Sequence, residues 1–142
     1  MLEQGDALPE FEVQNHQDQK VKSSNIEDAI IYFYPKAGTP GCTKEACNFR
    51  DSIKQLEKAG MKVYGVSTDS VKAQKKFHDN QDLNFELLAD EQKELTEGFG
   101  VKSRLGVSKR VTFVIRDGKI EKVFEDVNPS NHIEEVVEYV KT

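Results

Sequence analysis

The chain has 142 residues, 37% hydrophobic and 32% charged, with a formal net charge of −5. That length suits a single domain over residues 1–142, burying roughly 70% of its unfolded surface. The interspersed acidic and basic residues exclude nucleic acid as the main partner, the lack of a run of ~18 apolar residues excludes a membrane-spanning helix, and two cysteines are too few for a disulfide framework.

The start, "MLEQGDALPEF", has neither a basic n-region nor an apolar h-region, so a cytoplasmic protein with reduced thiols is expected. "FEVQN" and "KVKSS" flank the polar turn "HQDQ" and predict a short hairpin. "AIIYFYP" is a continuous apolar run, as in a strand covered on both faces. A helical pattern spans Thr39 to Ala59, with Gly60 placed as its C-terminal glycine. "MKVYGVST" predicts the next buried strand, "SVKAQKKFHDN" a helix capped by Ser70, and "FELLAD" another strand. In the second of these, Lys75 and Lys76 are adjacent but belong to a solvated helix face. "EQKELTEGFG" predicts a short helix, and "RVTFVI" a strand that Asp117-Gly118 turns into "KIEKVFED". Pro129 and Ser130 then open a last amphipathic helix through "IEEVVEYV". A hairpin followed by β-α-β-α-β-α-β-β-α predicts an α/β thioredoxin-like fold, a central mixed sheet flanked by helices.

Both cysteines fall in "YPKAGTPGCTKEACNFRD", five positions apart, a spacing of neither a redox CxxC nor a zinc site. Thr39 is a suitable N-cap and Pro40 occupies the first helical position, where a missing N–H costs nothing. Cys42 then lies in the first turn, and Ala46, Phe49, Ile53 and Leu56 follow it within about 40° on one helix face. Burial alone reads Cys42 as a small apolar residue ending that stripe. Its position at the helix start reads it as a thiolate stabilised by free amides and the helix dipole. Cys47 points about 140° away, toward the polar side, where packing does not explain a cysteine. "GTPGCTK" lacks the spacing of a phosphate loop. His16, His78 and His132 do not share metal-ligand spacing with one another or with the cysteines, and His132 with Glu135 is a single pair.

"PKAGTPGCTKEACNFRD" resembles the active-site segment of peroxiredoxins, whose pattern is Pro-x-x-x-Thr/Ser-x-x-Cys. It is most similar to the bacterioferritin comigratory protein, or peroxiredoxin Q, subfamily, an atypical two-cysteine group in which a second cysteine follows five positions later. "GDALPEFEVQN" and "KRVTFVIRDGKI" extend the likeness along the chain, the first to the family's N-terminal entry and the second to its Arg-x-Thr-Phe strand and hairpin. The resemblance implies a peroxidatic Cys42 and a resolving Cys47. It implies that Thr39 hydrogen-bonds the thiolate and the peroxide, that Pro35 shields the pocket, and that Arg110 polarises it. It further implies reduction of hydrogen peroxide and organic hydroperoxides through a Cys42 sulfenic acid and an intramolecular Cys42–Cys47 disulfide. Thioredoxin or a similar dithiol protein would reduce that disulfide, with no metal, haem or flavin. A monomer is expected, with a weak homodimer as the alternative. Two other readings stand beside this one: a thiol–disulfide oxidoreductase, against which the absence of CxxC counts, and a non-catalytic binding module with inert cysteines.

Overall fold

The computed structural model describes residues 1–141. Its strands are β1 (Glu12–Asn15), β2 (Lys20–Lys22), β3 (Ala29–Phe33), β4 (Lys62–Ser67), β5 (Glu86–Ala89), β6 (Val111–Arg116) and β7 (Lys119–Phe124). The helices are α1 (Pro40–Lys58), α2 (Val71–Asn80), α3 (Glu94–Gly98) and α4 (His132–Lys141), in the predicted order. The strands form one mixed sheet in the order β2-β1-β5-β4-β3-β6-β7. β3, β4 and β5 run parallel, β6 is antiparallel to β3, and β1 is antiparallel to β5.

β3 is fully buried because both of its faces are covered. Ile30 and Tyr32 pack with Ala46, Phe49, Ile53 and Leu56 of α1 and Val136 and Val140 of α4. Ile31 and Phe33 face the other way, into a second cluster with Leu95, Phe99 and Phe113. The two-residue period of the strand thus joins two cores through one sheet. Asp117 (φ 51°) and Gly118 (φ 73°) both take the left-handed conformation, as the tight turn between β6 and β7 requires. No helix among the described residues is long and apolar enough to cross a membrane.

Two local expectations need correction. Ser23 and Ser24, read as the end of the second strand, instead belong to a 3₁₀ turn at Ser23–Asn25. There the Asn25 side chain accepts from Lys22 N–H, a local bond that competes with the ladder. The last helix opens at His132 rather than at Pro129–Ser130. Asn128 closes a turn first, its side chain accepting from Ser130 N–H and its carbonyl from Asn131 and His132 N–H.

Candidate active site

The loop from β3 to α1 is held from beneath. Ala37 N–H and the Ser67 hydroxyl both donate to Asp69 Oδ2, at 2.8 and 2.7 Å. The Tyr34 hydroxyl donates to Gln74 Oε1 at 2.6 Å, and Gln74 Nε2 donates to the Leu88 carbonyl. The half-buried Pro35 follows Tyr34, and Gly38 (φ 83°) turns the chain into the helix through a conformation that glycine adopts without strain. Thr39 is the N-cap residue, but its hydroxyl does not cap the helix amides. It donates to the Lys36 carbonyl at 2.8 Å, inside the loop, and keeps its lone pairs as acceptors.

Cys42 is 1% exposed and belongs to the core cluster of α1. Arg110 Nη2 lies 3.4 Å from Cys42 Sγ, and Arg110 Nη1 donates to Glu45 Oε1 at 2.7 Å. Sheet topology explains this meeting across 68 positions. β6 runs antiparallel to β3 with Val111 opposite Phe33, so the residue before β6 stands beside the segment leaving β3. Gly41 leaves room for the guanidinium, since a Cβ there would be 3.3 Å from Arg110 Nη2. Glu45 is also 1% exposed, and its Oε2 has no hydrogen-bond partner among the described residues. Burial pushes its carboxyl up to about 7, against the opposing pull of Arg110.

Cys47 is half-buried on the flank of the same unbroken helix, and both cysteines are free thiols. No hydrogen bond joins a histidine to a cysteine among the described residues. His132 Nε2 meets Thr112 Oγ1 at 2.8 Å, and burial holds its imidazole down to about 4. His16 and His78 stack with ring centroids 3.9 Å apart, a pairing that sequence spacing did not suggest. Among the described residues, no group of three or more His, Cys, Asp or Glu is arranged to hold a metal ion.

The sequence profile of the AhpC/TSA family matches residues 4–123. Peroxiredoxin Bcp of Escherichia coli K12 is 41% identical over 150 aligned positions, covering 99% of this chain and 96% of the relative. Peroxiredoxin Bcp of Bacillus subtilis is 32% identical, with 99% and 96% covered. Among solved structures, peroxidoxin BcpB of Mycobacterium tuberculosis superposes with a TM-score of 0.91 at 34% identity, over 99% of this chain and 97% of that one. The chain belongs to the AhpC/TSA family. It is a peroxiredoxin of the Bcp type, a thiol-dependent peroxidase with a thioredoxin-like fold.

In this peroxiredoxin, Cys42, Arg110, Thr39 and Pro35 gather at one end of the sheet, while Cys47 stands on the outer flank of α1. Sequence reasoning missed Glu45, although a signal was present. Three positions after Cys42, it is the one charged residue within the stripe Cys42, Ala46, Phe49, and a buried carboxylate needs a partner. The sequence marks Gly41 as a weak helix former; that a side chain there would crowd the guanidinium appears only once Arg110 is in place.

Proposed function

We propose that this thiol peroxidase works by an intramolecular two-cysteine cycle. The Cys42 thiolate attacks the terminal oxygen of a hydroperoxide, hydrogen peroxide or an organic one; the S–O bond forms as the O–O bond breaks, Cys42 becomes a sulfenic acid, and the leaving oxygen takes a proton from solvent to depart as water or an alcohol. The observation that carries the reading is the Arg110 guanidinium 3.4 Å from Cys42 Sγ at the start of a helix. A fixed cation and free helix amides favour the thiolate and offset charge moving onto the leaving oxygen. Glu45 holds the guanidinium from its other edge, so that it is aimed before the peroxide arrives. The Thr39 hydroxyl oxygen accepts a hydrogen bond from the peroxide O–H, and Pro35 covers the thiol from water.

Cys47 then condenses with the sulfenic acid. On one intact helix the two Cα atoms stand roughly 8–9 Å apart, with side chains about 140° apart. A disulfide tolerates only about 7 Å. The turns between Thr39 and Asp51 therefore unwind in each cycle, and the weak helix formers Gly41, Thr43 and Asn48 lower the cost. An external dithiol protein of the thioredoxin kind returns both thiols, which suits a reducing compartment, the cytosol.

Cys47→Ser tests the cycle. Stopped-flow should record the first oxidation at the wild-type rate, while reductant-linked turnover stops after one peroxide and Cys42 goes on to sulfinic acid. Sustained turnover in that variant removes Cys47 as the resolving thiol.

A further inference from the structure

Cys47 and its helical neighbours are tied to the turn that leaves α2. Cys47 Sγ–H donates to Gln81 Oε1 at 3.5 Å, Arg50 Nη1 donates to the Gln81 carbonyl at 2.7 Å, and Asn84 Nδ2 donates to the Arg50 carbonyl at 3.2 Å. The turn presenting these groups is itself well fixed. Gln81 N–H bonds the Phe77 carbonyl, Asp82 takes the left-handed conformation (φ 50°), and Leu83 N–H returns to the His78 carbonyl. Leu83 is buried at 4% exposure beneath it. None of the three bonds belongs to the internal ladder of α1, and none touches Cys42, Thr39 or Arg110.

We propose that Gln81, assisted by Asn84, is a positioning residue for resolution: a clasp that keeps Cys47 in the helix and sets how fast the disulfide forms. The inference rests on the reading of Cys47 as the resolving thiol. To reach Cys42, Cys47 must turn through about 140°, and its bond to Gln81 must break first. Once released, the Cys47 sulfur attacks the sulfur of the Cys42 sulfenic acid. The S–S bond forms, the S–O bond breaks, and the leaving hydroxide takes the Cys47 proton as water. Opening competes with a second peroxide, which would carry the sulfenic acid to sulfinic acid. A firmer clasp therefore yields more overoxidation at a given peroxide excess, and a looser one yields less.

Gln81→Ala and, separately, Asn84→Ala test the clasp in the full chain. A neutral hydrogen bond with a weak S–H donor implies about a two- to fivefold easier opening. After a pulse of hydrogen peroxide, each variant should form the disulfide faster by that factor and show a smaller sulfinic fraction by mass spectrometry. The rate of the first oxidation should not change. Gln81→Glu, which keeps an acceptor and charges it, should hold Cys47 at least as firmly as glutamine and return the sulfinic fraction to the wild-type level or above, a rescue that a merely structural role for Gln81 does not provide. Hydrogen exchange of the reduced protein should show residues 47–50 losing protection by the same factor in both alanine variants. Wild-type protection and wild-type partition in Gln81→Ala and Asn84→Ala, with the Cys42–Cys47 disulfide still forming, overturn the clasp alone. A wild-type protein that forms no such disulfide overturns the clasp together with the two-cysteine cycle.

Discussion

On its core-facing side α1 presents Cys42, Ala46, Phe49, Ile53 and Leu56, all buried, with Phe49 stacked on Tyr32 at 4.3 Å between ring centroids. On its flanks the helix presents half-buried Cys47 and Asn48. Those residues meet their neighbours through a few hydrogen bonds, one from Cys47 to Gln81 and two from Asn48 Nδ2 to the Pro129 and Ser130 carbonyls, both at 3.2 Å. The contrast matches two demands that the proposed cycle makes on one helix. The thiol that would meet a peroxide in a fixed geometry is held by packing and a buried ion pair, interactions that are costly to break. The thiol that would travel in that cycle is held by bonds worth about 0.5–1.5 kcal/mol each, which break and re-form without unfolding the domain.

The largest expected effect breaks the packed side. Phe49→Ala removes a fully buried ring from between α1 and the sheet, and such truncations cost about 3–5 kcal/mol. Denaturant unfolding should show the midpoint falling by that equivalent with an unchanged slope. A loss below about 1 kcal/mol would place the helix's anchorage on its flanks and reverse the comparison.

Arg110→Ala acts on the same side through chemistry rather than packing. Losing one charge-stabilising donor should slow the peroxide step by about 10²–10³-fold in stopped-flow measurements. Stability at neutral pH should change far less. Arg110 is what pulls the Glu45 carboxyl down, so without it Glu45 stays protonated and no buried charge is stranded. An unchanged rate would remove Arg110 from the site and turn attention to the exposed Arg104 in the preceding loop.

These two variants mark what the sequence could and could not disclose. The stripe from Cys42 to Leu56 follows from 3.6-residue periodicity, β3 from a continuous apolar run, and β4 and β6 from strongly apolar ones, because burial on both faces leaves a local trace. Arg110 leaves no such trace. Its neighbourhood is made by the antiparallel pairing of β6 with β3, and only family resemblance brought it to Cys42 in advance. Gln81 is less legible still, since one polar side chain in a turn says nothing about a cysteine 34 positions earlier. Thr39 shows the opposite failure. Propensity named it a cap, yet its hydroxyl bonds within the loop to Lys36, so the position was right and the partner was not.

The smallest expected effect concerns Glu45, the one charge on the packed side of the helix that rate and stability measurements can both read. Glu45→Gln keeps the shape and an acceptor for Arg110 but removes the charge. The peroxide step should therefore fall by only about three- to tenfold, the difference between a charge-assisted and a neutral hydrogen bond. The stability signature is a matter of sign. Burial raises the folded carboxyl from 4.5 to about 7, so the folded state holds a proton that the unfolded state has released between those values. That contribution is fully present below pH 4.5 and is lost as pH rises through about 7. Glutamine cannot titrate. The melting temperature of wild type minus that of Glu45→Gln should accordingly be more positive at pH 5 than at pH 8. His132 works in the opposite direction, because its imidazole is held down to about 4 and its contribution is lost as pH falls from 6.5 toward that value. Both proteins contain His132, so the difference between them cancels it. A difference that stays flat across this range would mean that Glu45 is fully ionised beside Arg110 at every pH tested, and that the ion pair alone offsets its burial.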